Sequence, residues 1–204
     1  DPRVADSEFM VACDVSNPLT GPEGASAVYG PQKGATPAMV TQLDAALGQF
    51  AEVALRDLCA DIQYVPGSGA AGGLGGGIMA FLGGQLRPGV DIVLDILNFD
   101  SQLEDADLVI TGEGGMDFQT VYNKAPIGVA RLAKARGIAV IGVSGSLGKG
   151  YTDVHAHGID AVISITSAPM DMEEATDRCS ELIADATEQA MRMMRTGAAV
   201  FGQA

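Results

Sequence analysis

The most reactive side chains of the chain gather in Thr111-Gly112-Glu113-Gly114-Gly115-Met116-Asp117-Phe118-Gln119-Thr120, with Lys124 shortly after. Carboxylates such as Glu113 and Asp117 can hold Mg²⁺ through oxygen or water, or take a proton from a substrate hydroxyl. Glycines 112, 114 and 115 can turn backbone amides towards an anion, and Lys124 can neutralise a phosphate. An ordinary turn between strand and helix, with solvated carboxylates, would have the same composition. What favours chemistry is position: the segment follows the apolar run Asp107–Thr111, and ligands of open α/β sheets bind beyond the carboxyl ends of strands.

Two further segments could bind. In Pro66-Gly-Ser-Gly-Ala-Ala-Gly72, glycines 67, 69 and 72 formally satisfy GxGxxG, but no ribose-binding acid follows at the expected distance. Gly67 and Gly69 are candidates for nucleotide or anion contact at a helix start; for Gly75 to Gly84, tight packing is the favoured reading. Asp14, Asn17 and Lys33 lie in Ala12–Gly21 and Tyr29–Ala35, where turn chemistry competes with binding of a small polyol or acid. His155 and His157 stand two apart without a third ligand, which suits a helix end better than a metal. Met191, Met193 and Met194 read as gap-filling core residues.

These residues need elements to hold them. Phe9–Val15 and Ile62–Val65 read as short strands, and Pro37 opens a helix whose apolar stripe includes Met39, Leu43, Leu47, Phe50, Ala54 and Leu58. Arg87-Pro88-Gly89 reads as a turn, and Val90–Leu97 as an apolar stretch of either type. Residues 107–111, 138–143 and 160–165 are β-branched runs without polar alternation, as in strands buried on both faces of a parallel sheet. Helices are expected at Pro126–Arg136, Tyr151–His157 and Met172–Arg195, with Gly137 and Gly158 as left-handed ends. The pattern predicts an α/β protein: an open, mostly parallel sheet of βαβ units, Rossmann-like, in the C-terminal half, with part of a second α/β domain before it.

Composition narrows the function. The chain has 204 residues, 47% of them hydrophobic, so it can bury a core. Its formal net charge is −14 (12 basic against 26 acidic), which disfavours nucleic acid and anionic membrane surfaces as partners. Three cysteines without CxxC spacing argue for a reduced compartment, and no apolar run reaches membrane-spanning length. A soluble, cytoplasmic protein is expected. Its 27 glycines place function in loops.

Taken together, ACDVSNPLTGPEGASAVYGPQKGA, PGSGAAGGLGGGIMAFLGGQLRPG, DADLVITGEGGMDFQT, KAPIGVARLAK and HGIDAVISI resemble the bacterial glycerate kinase family of glucarate/galactarate and glyoxylate catabolism. The resemblance covers essentially the whole chain. It implies ATP- and Mg²⁺-dependent phosphorylation of D-glycerate at the 2-hydroxyl, giving 2-phosphoglycerate, in a cleft of a two-domain α/β fold. On that basis Thr111, Gly112, Glu113, Gly114, Gln119 and Lys124 belong to the nucleotide site. Asp117 is the proton acceptor or Mg²⁺ ligand, with Glu113 beside it as catalytic, and Asp14, Asn17, Lys33, Gly67 and Gly69 contact substrate or nucleotide.

The sequence departs from the family pattern in three ways. Gly115 replaces an arginine, Asn123 replaces a glycine, and no counterpart of the family's N-terminal APDSFKG-like motif is present. By resemblance, residues 1–102 are then the latter part of an inserted middle domain and 103–204 the C-terminal part of a discontinuous one. Homo-oligomerisation or pairing with an N-terminal half is expected to cover exposed apolar edges. The alternatives are a non-catalytic fragment that keeps anion binding and, resting on GxGxxG alone, an NAD-dependent oxidoreductase.

Overall fold

The computed structural model describes residues 1–122 and 124–202; Asn123, Gln203 and Ala204 lie outside the described residues. The chain forms two compact units, Asp1–Ile92 and Val93–Ala204, where the sequence put a boundary near residue 102. Both are α/β with parallel strands.

In the first unit β1 (Met10–Ala12) pairs with β2 (Gln85–Arg87), Val11 opposite Leu86. Between them run α1 (Ala25–Tyr29), a 3-10 turn (Pro31–Lys33), α2 (Pro37–Leu58) and α3 (Ala70–Leu82). Thr36 starts α2 by accepting the Met39 N–H, and Pro37 fits the first turn because its missing N–H would have no partner there. The core gathers Leu19, Ala51, Ala54 and Ile62. Only the middle of the α2 stripe is covered: Met39 and Leu43 remain 52% and 49% exposed.

Residues 62–65 are not a strand. Ile62 is buried, but the chain makes one ladder-like bond there, Leu19 N–H to Gln63 O at 3.1 Å, before Ser68 N–H closes a turn on Val65 O. Pro66-Gly67 turns the chain too soon for pairing, with Gly67 at φ +84°. In α3 a Cβ on Gly75 would overlap the Gly67 carbonyl, which supports the packing reading of this glycine run. Residues expected to turn at 87–89 instead end β2 and begin α4 (Gly89–Ile96), which resolves the ambiguous apolar stretch as helix.

The second unit begins with the short α5 (Phe99–Gln102) and then alternates β3 (Leu108–Met116), α6 (Ala125–Ala135), β4 (Ala139–Leu147), a 3-10 helix (Tyr151–His157) and β5 (Ala161–Ser164). The strands form a parallel sheet in the order β3-β4-β5. Val140 to Ser144 are all buried, as the lack of polar alternation predicts. One face packs Val109, Met116 and Val140 against Ile127, Ala130 and Ala133 of α6. The other packs Ile141 and Val143 against Leu182, Ala186 and Ala190. Each wholly buried aliphatic side chain such as Val140 or Ile159 contributes about 1.5–3 kcal/mol. Gly137 and Gly158 adopt the expected left-handed conformation, φ +75° and +100°.

The last expected helix is two, α7 (Met172–Asp177) and α8 (Cys179–Phe201). Met191, Met193 and Met194 are 46%, 62% and 43% exposed, so they are not core: α8 buries Leu182, Ala186 and Ala190, and the methionines project from its other faces. His155 Nδ1 lies 2.8 Å from Ile159 O at the end of the 3-10 helix, a helix-end role. No helix among the described residues is long and apolar enough to cross a membrane.

Gly75→Ala should lower stability in urea denaturation by about 1–3 kcal/mol through overpacking. Gly77→Ala, whose Cβ meets nothing within 4 Å, should raise it by about 0.5–1 kcal/mol. Equal effects would contradict the packing at Gly67.

Asp160 accepts from Lys134 Nζ and Val140 N–H, each at 2.8 Å, tying α6 to the start of β4, and the Lys134 bond above all holds its carboxyl below the ordinary value. A depressed carboxyl stabilises the fold above its unfolded pKa of ~3.9 and loses that effect as pH falls through the folded value. Asp160→Asn should therefore lower stability at pH 7 by about 1 kcal/mol or less, since the pair is exposed to screening. The deficit should close below about pH 4 in a pH series of melts.

Candidate functional site

The segment expected to leave the sheet at Thr111 stays in it. Thr111, Glu113 and Gly115 pair with Gly142, Ser144 and Ser146 of β4, so the glycines prolong a strand instead of forming an anion nest. Glycine is needed because the strands approach too closely for side chains: a Cβ at Gly112 would overlap Val143 O, and one at Gly145 would overlap Gly114 O. Gly114 differs. A Cβ there meets nothing within 4 Å, and the residue lines a cleft of about 440 Å³ walled by Ile110, Ile165 and Ile183. Packing gives no reason for its bareness, whereas close approach by a ligand would.

Alternation along β3 turns Val109, Thr111 and Glu113 to the α6 face. There Glu113 Oε1 accepts the Thr120 hydroxyl at 2.5 Å, and Oε2 stands 3.6 Å from Lys124 Nζ at the start of α6. The Thr120 hydroxyl also accepts the Asp117 N–H at 3.1 Å. Asp117 Oδ1 accepts the Gln119 N–H at 2.8 Å, which leaves Oδ2 for a ligand. Beneath this turn Gly148 N–H bonds Met116 O at 2.7 Å and Phe118 N–H bonds Lys149 O at 3.1 Å. Buried Ser144 locks the strand ends, accepting the Met116 N–H and donating to Ser146 O. Glu113, Asp117, Gln119 and Lys124 thus lie in one neighbourhood, while Thr111, Gly112 and Gly114 line the cleft along β3. Gly115 sits with Ser146 Oγ 3.0 Å from its Cβ position. Asn123 lies outside the described residues.

The remaining candidates are in the first unit. Asp14 Oδ1 accepts the Gly89 N–H at 2.8 Å, placing its charge at the positive end of α4. Asn17 is a turn hub: Nδ2 donates to Glu23 O at 2.8 Å, Oδ1 accepts the Tyr29 hydroxyl at 2.6 Å, and its carbonyl accepts the Gly69 N–H. Burial above all, with Cys13 adding, pushes the Tyr29 hydroxyl up from its ordinary value, which keeps it a donor. Gly67 and Gly69 let their loop press on Cys13 and Pro18. Lys33 is exposed on the rim of an apolar cavity of about 660 Å³ between α1, α2 and the start of α3. Sequence reasoning left out Thr120 and Ser144 as site residues. The only trace of Thr120 was its place in the DFQT motif.

A divalent cation suits the donor set at Asp117 and Glu113. Both offer hard carboxylate oxygens, and no group of three or more His, Cys, Asp or Glu among the described residues could form a closed cage.

The second unit is a parallel α/β sheet with carboxylates and a lysine at the carboxyl end of β3, the place where ligands of open α/β sheets bind. The chain belongs to the glycerate kinase family, whose model matches residues 1–195. It is 50% identical over 192 residues to a glycerate kinase of Halalkalibacterium halodurans, covering 94% of this chain and 50% of that one. It is 50% identical to the glycerate 2-kinase of Escherichia coli K12, covering 86% of this chain and 46% of that one. A crystal structure of a Salmonella typhimurium LT2 protein, provisionally described as glycerate kinase 2, superposes with a TM-score of 0.79 at 47% identity, over 97% of this chain and 51% of that one. The chain spans about half the length of the curated relatives it matches.

Proposed function

We propose that this chain supplies the phosphoryl-transfer centre of a kinase that phosphorylates D-glycerate with ATP and gives 2-phosphoglycerate. The observation that carries this reading is the joining of Glu113 to the Asp117 backbone through Thr120, with Lys124 beside Glu113, at the carboxyl end of β3. The names of the relatives support the substrate.

In this reading the glycerate 2-hydroxyl oxygen attacks the γ-phosphorus, the bond from that phosphorus to the β–γ bridging oxygen breaks, and ADP leaves. Asp117 takes the hydroxyl proton through its free Oδ2. Lys124 faces the phosphoryl oxygens, and Glu113 orients that lysine. Should Asp117 instead hold Mg²⁺ through Oδ2, the ion would offset the charge of the transferred phosphoryl group. Thr111, Gly112, Gly114 and Gln119 line the approach of the nucleotide. Asp14, Asn17, Lys33, Gly67 and Gly69 serve substrate or nucleotide contacts from the first unit, beyond the structural bonds they already make. The protein works in the cytoplasm, and the outer edge of β3, without a partner strand among the described residues, pairs with the rest of the protein or another copy.

Asp117→Asn should lower kcat for glycerate-dependent ADP release about 10²–10⁴-fold, the usual contribution of a general base. Phosphorus NMR of the product identifies the hydroxyl that is phosphorylated. An unchanged kcat would end the assignment of Asp117.

A further inference from the structure

We infer that Thr120 is the positioning residue of the centre, because its single hydroxyl proton holds the Glu113 carboxylate in the orientation that meets Lys124. The inference rests on the reading of Glu113, Asp117 and Lys124 given above. Thr120 is fully buried, so its hydroxyl must find its partners within the protein. It has two: the Asp117 amide at 3.1 Å and Glu113 Oε1 at 2.5 Å. An amide N–H can only donate, so the hydroxyl accepts there and its one proton goes to Glu113. Direction is therefore fixed by chemistry. Oε1 is taken, and Oε2 is left on the side of Lys124, 3.6 Å away.

The same oxygen thus sets the Glu113 rotamer and holds the backbone of Asp117. Their separation in sequence is small, but β3 and the turn after it are different elements, and among the described residues this hydroxyl bonds to both the side chain and the turn. Glu113 is held by a charge-assisted bond in a part-buried place, where the wholly buried Thr120 hydroxyl would be left unsatisfied without it. A site that must place charge within a fraction of an ångström depends on such support.

The test is a double-mutant cycle with glycerate-dependent ADP release as its readout. Thr120→Val keeps the shape and removes the hydroxyl; it should lower kcat about 10–100-fold, the worth of one charge-assisted bond, with both KM values within about twofold. Thr120→Ser should recover most of the loss. In a Glu113→Gln background, Thr120→Val should cost less than about twofold more, because the oriented carboxylate is already gone. A merely structural threonine would give additive losses, a loss carried in KM, or a serine variant as poor as valine, and any of these overturns the inference. Should Thr120→Val not fold, Thr120→Cys of similar volume enters the same cycle. The two readings fail differently. If Glu113→Gln and Asp117→Asn keep the parent kcat, or the parent releases no ADP, the reading of the site falls and the role of Thr120 with it. If those variants lose activity while Thr120→Val does not, the site stands and Thr120 is not its positioning residue.

Discussion

The close approach of β3 to β4 is the constraint on which the second unit depends. Two parallel strands normally part where their apolar runs end, and here they stay paired as far as Met116 and Leu147. Side chains at 112 and 145 would drive into the neighbouring carbonyls, so glycine is what makes the extension possible. The extension carries Glu113 beyond the core to the start of α6, and it sets the turn in which Asp117 lies. Ser144 then fastens the two strand ends from inside. Without those glycines the carboxylates would have no common frame.

A charge argument bears on the same frame. The chain as a whole carries −14, yet the nucleotide proposed as its ligand is a polyanion. A global field of that sign slows the arrival of such a ligand, and the local arrangement has to overcome it. Lys124 is only part exposed and has Glu113 beside it, so its charge is directed, not free to wander over the surface. A cation shared with the ligand would reverse the local sign altogether.

Much of the second unit was legible in the sequence because its signals are local. Uninterrupted β-branched runs mark strands covered on both faces, and Gly137 and Gly158 mark helix ends, as found. The errors have a common cause in partners distant along the chain. Ile62–Val65 has strand composition, but no neighbouring strand stands beside it. Met191, Met193 and Met194 have core composition, but α8 turns other residues to the sheet. The strand through Thr111–Met116 was hidden because glycine is a poor strand former, and only the opposite strand explains it. The carboxylates and lysine of the site could be read from type and spacing. The threonine and serine that hold them could not, since their partners lie 7 and 28 residues away.

The strand order gives the second unit a graded resistance to opening. From Ile141 to Ser144 the backbone of β4 has a strand on each side and helices on both faces, so these amides are the best shielded of the sheet. β3 is the reverse: one edge is bonded and the other faces outward among the described residues. The groups proposed to do chemistry therefore ride on an edge strand of the sheet, anchored to its central one.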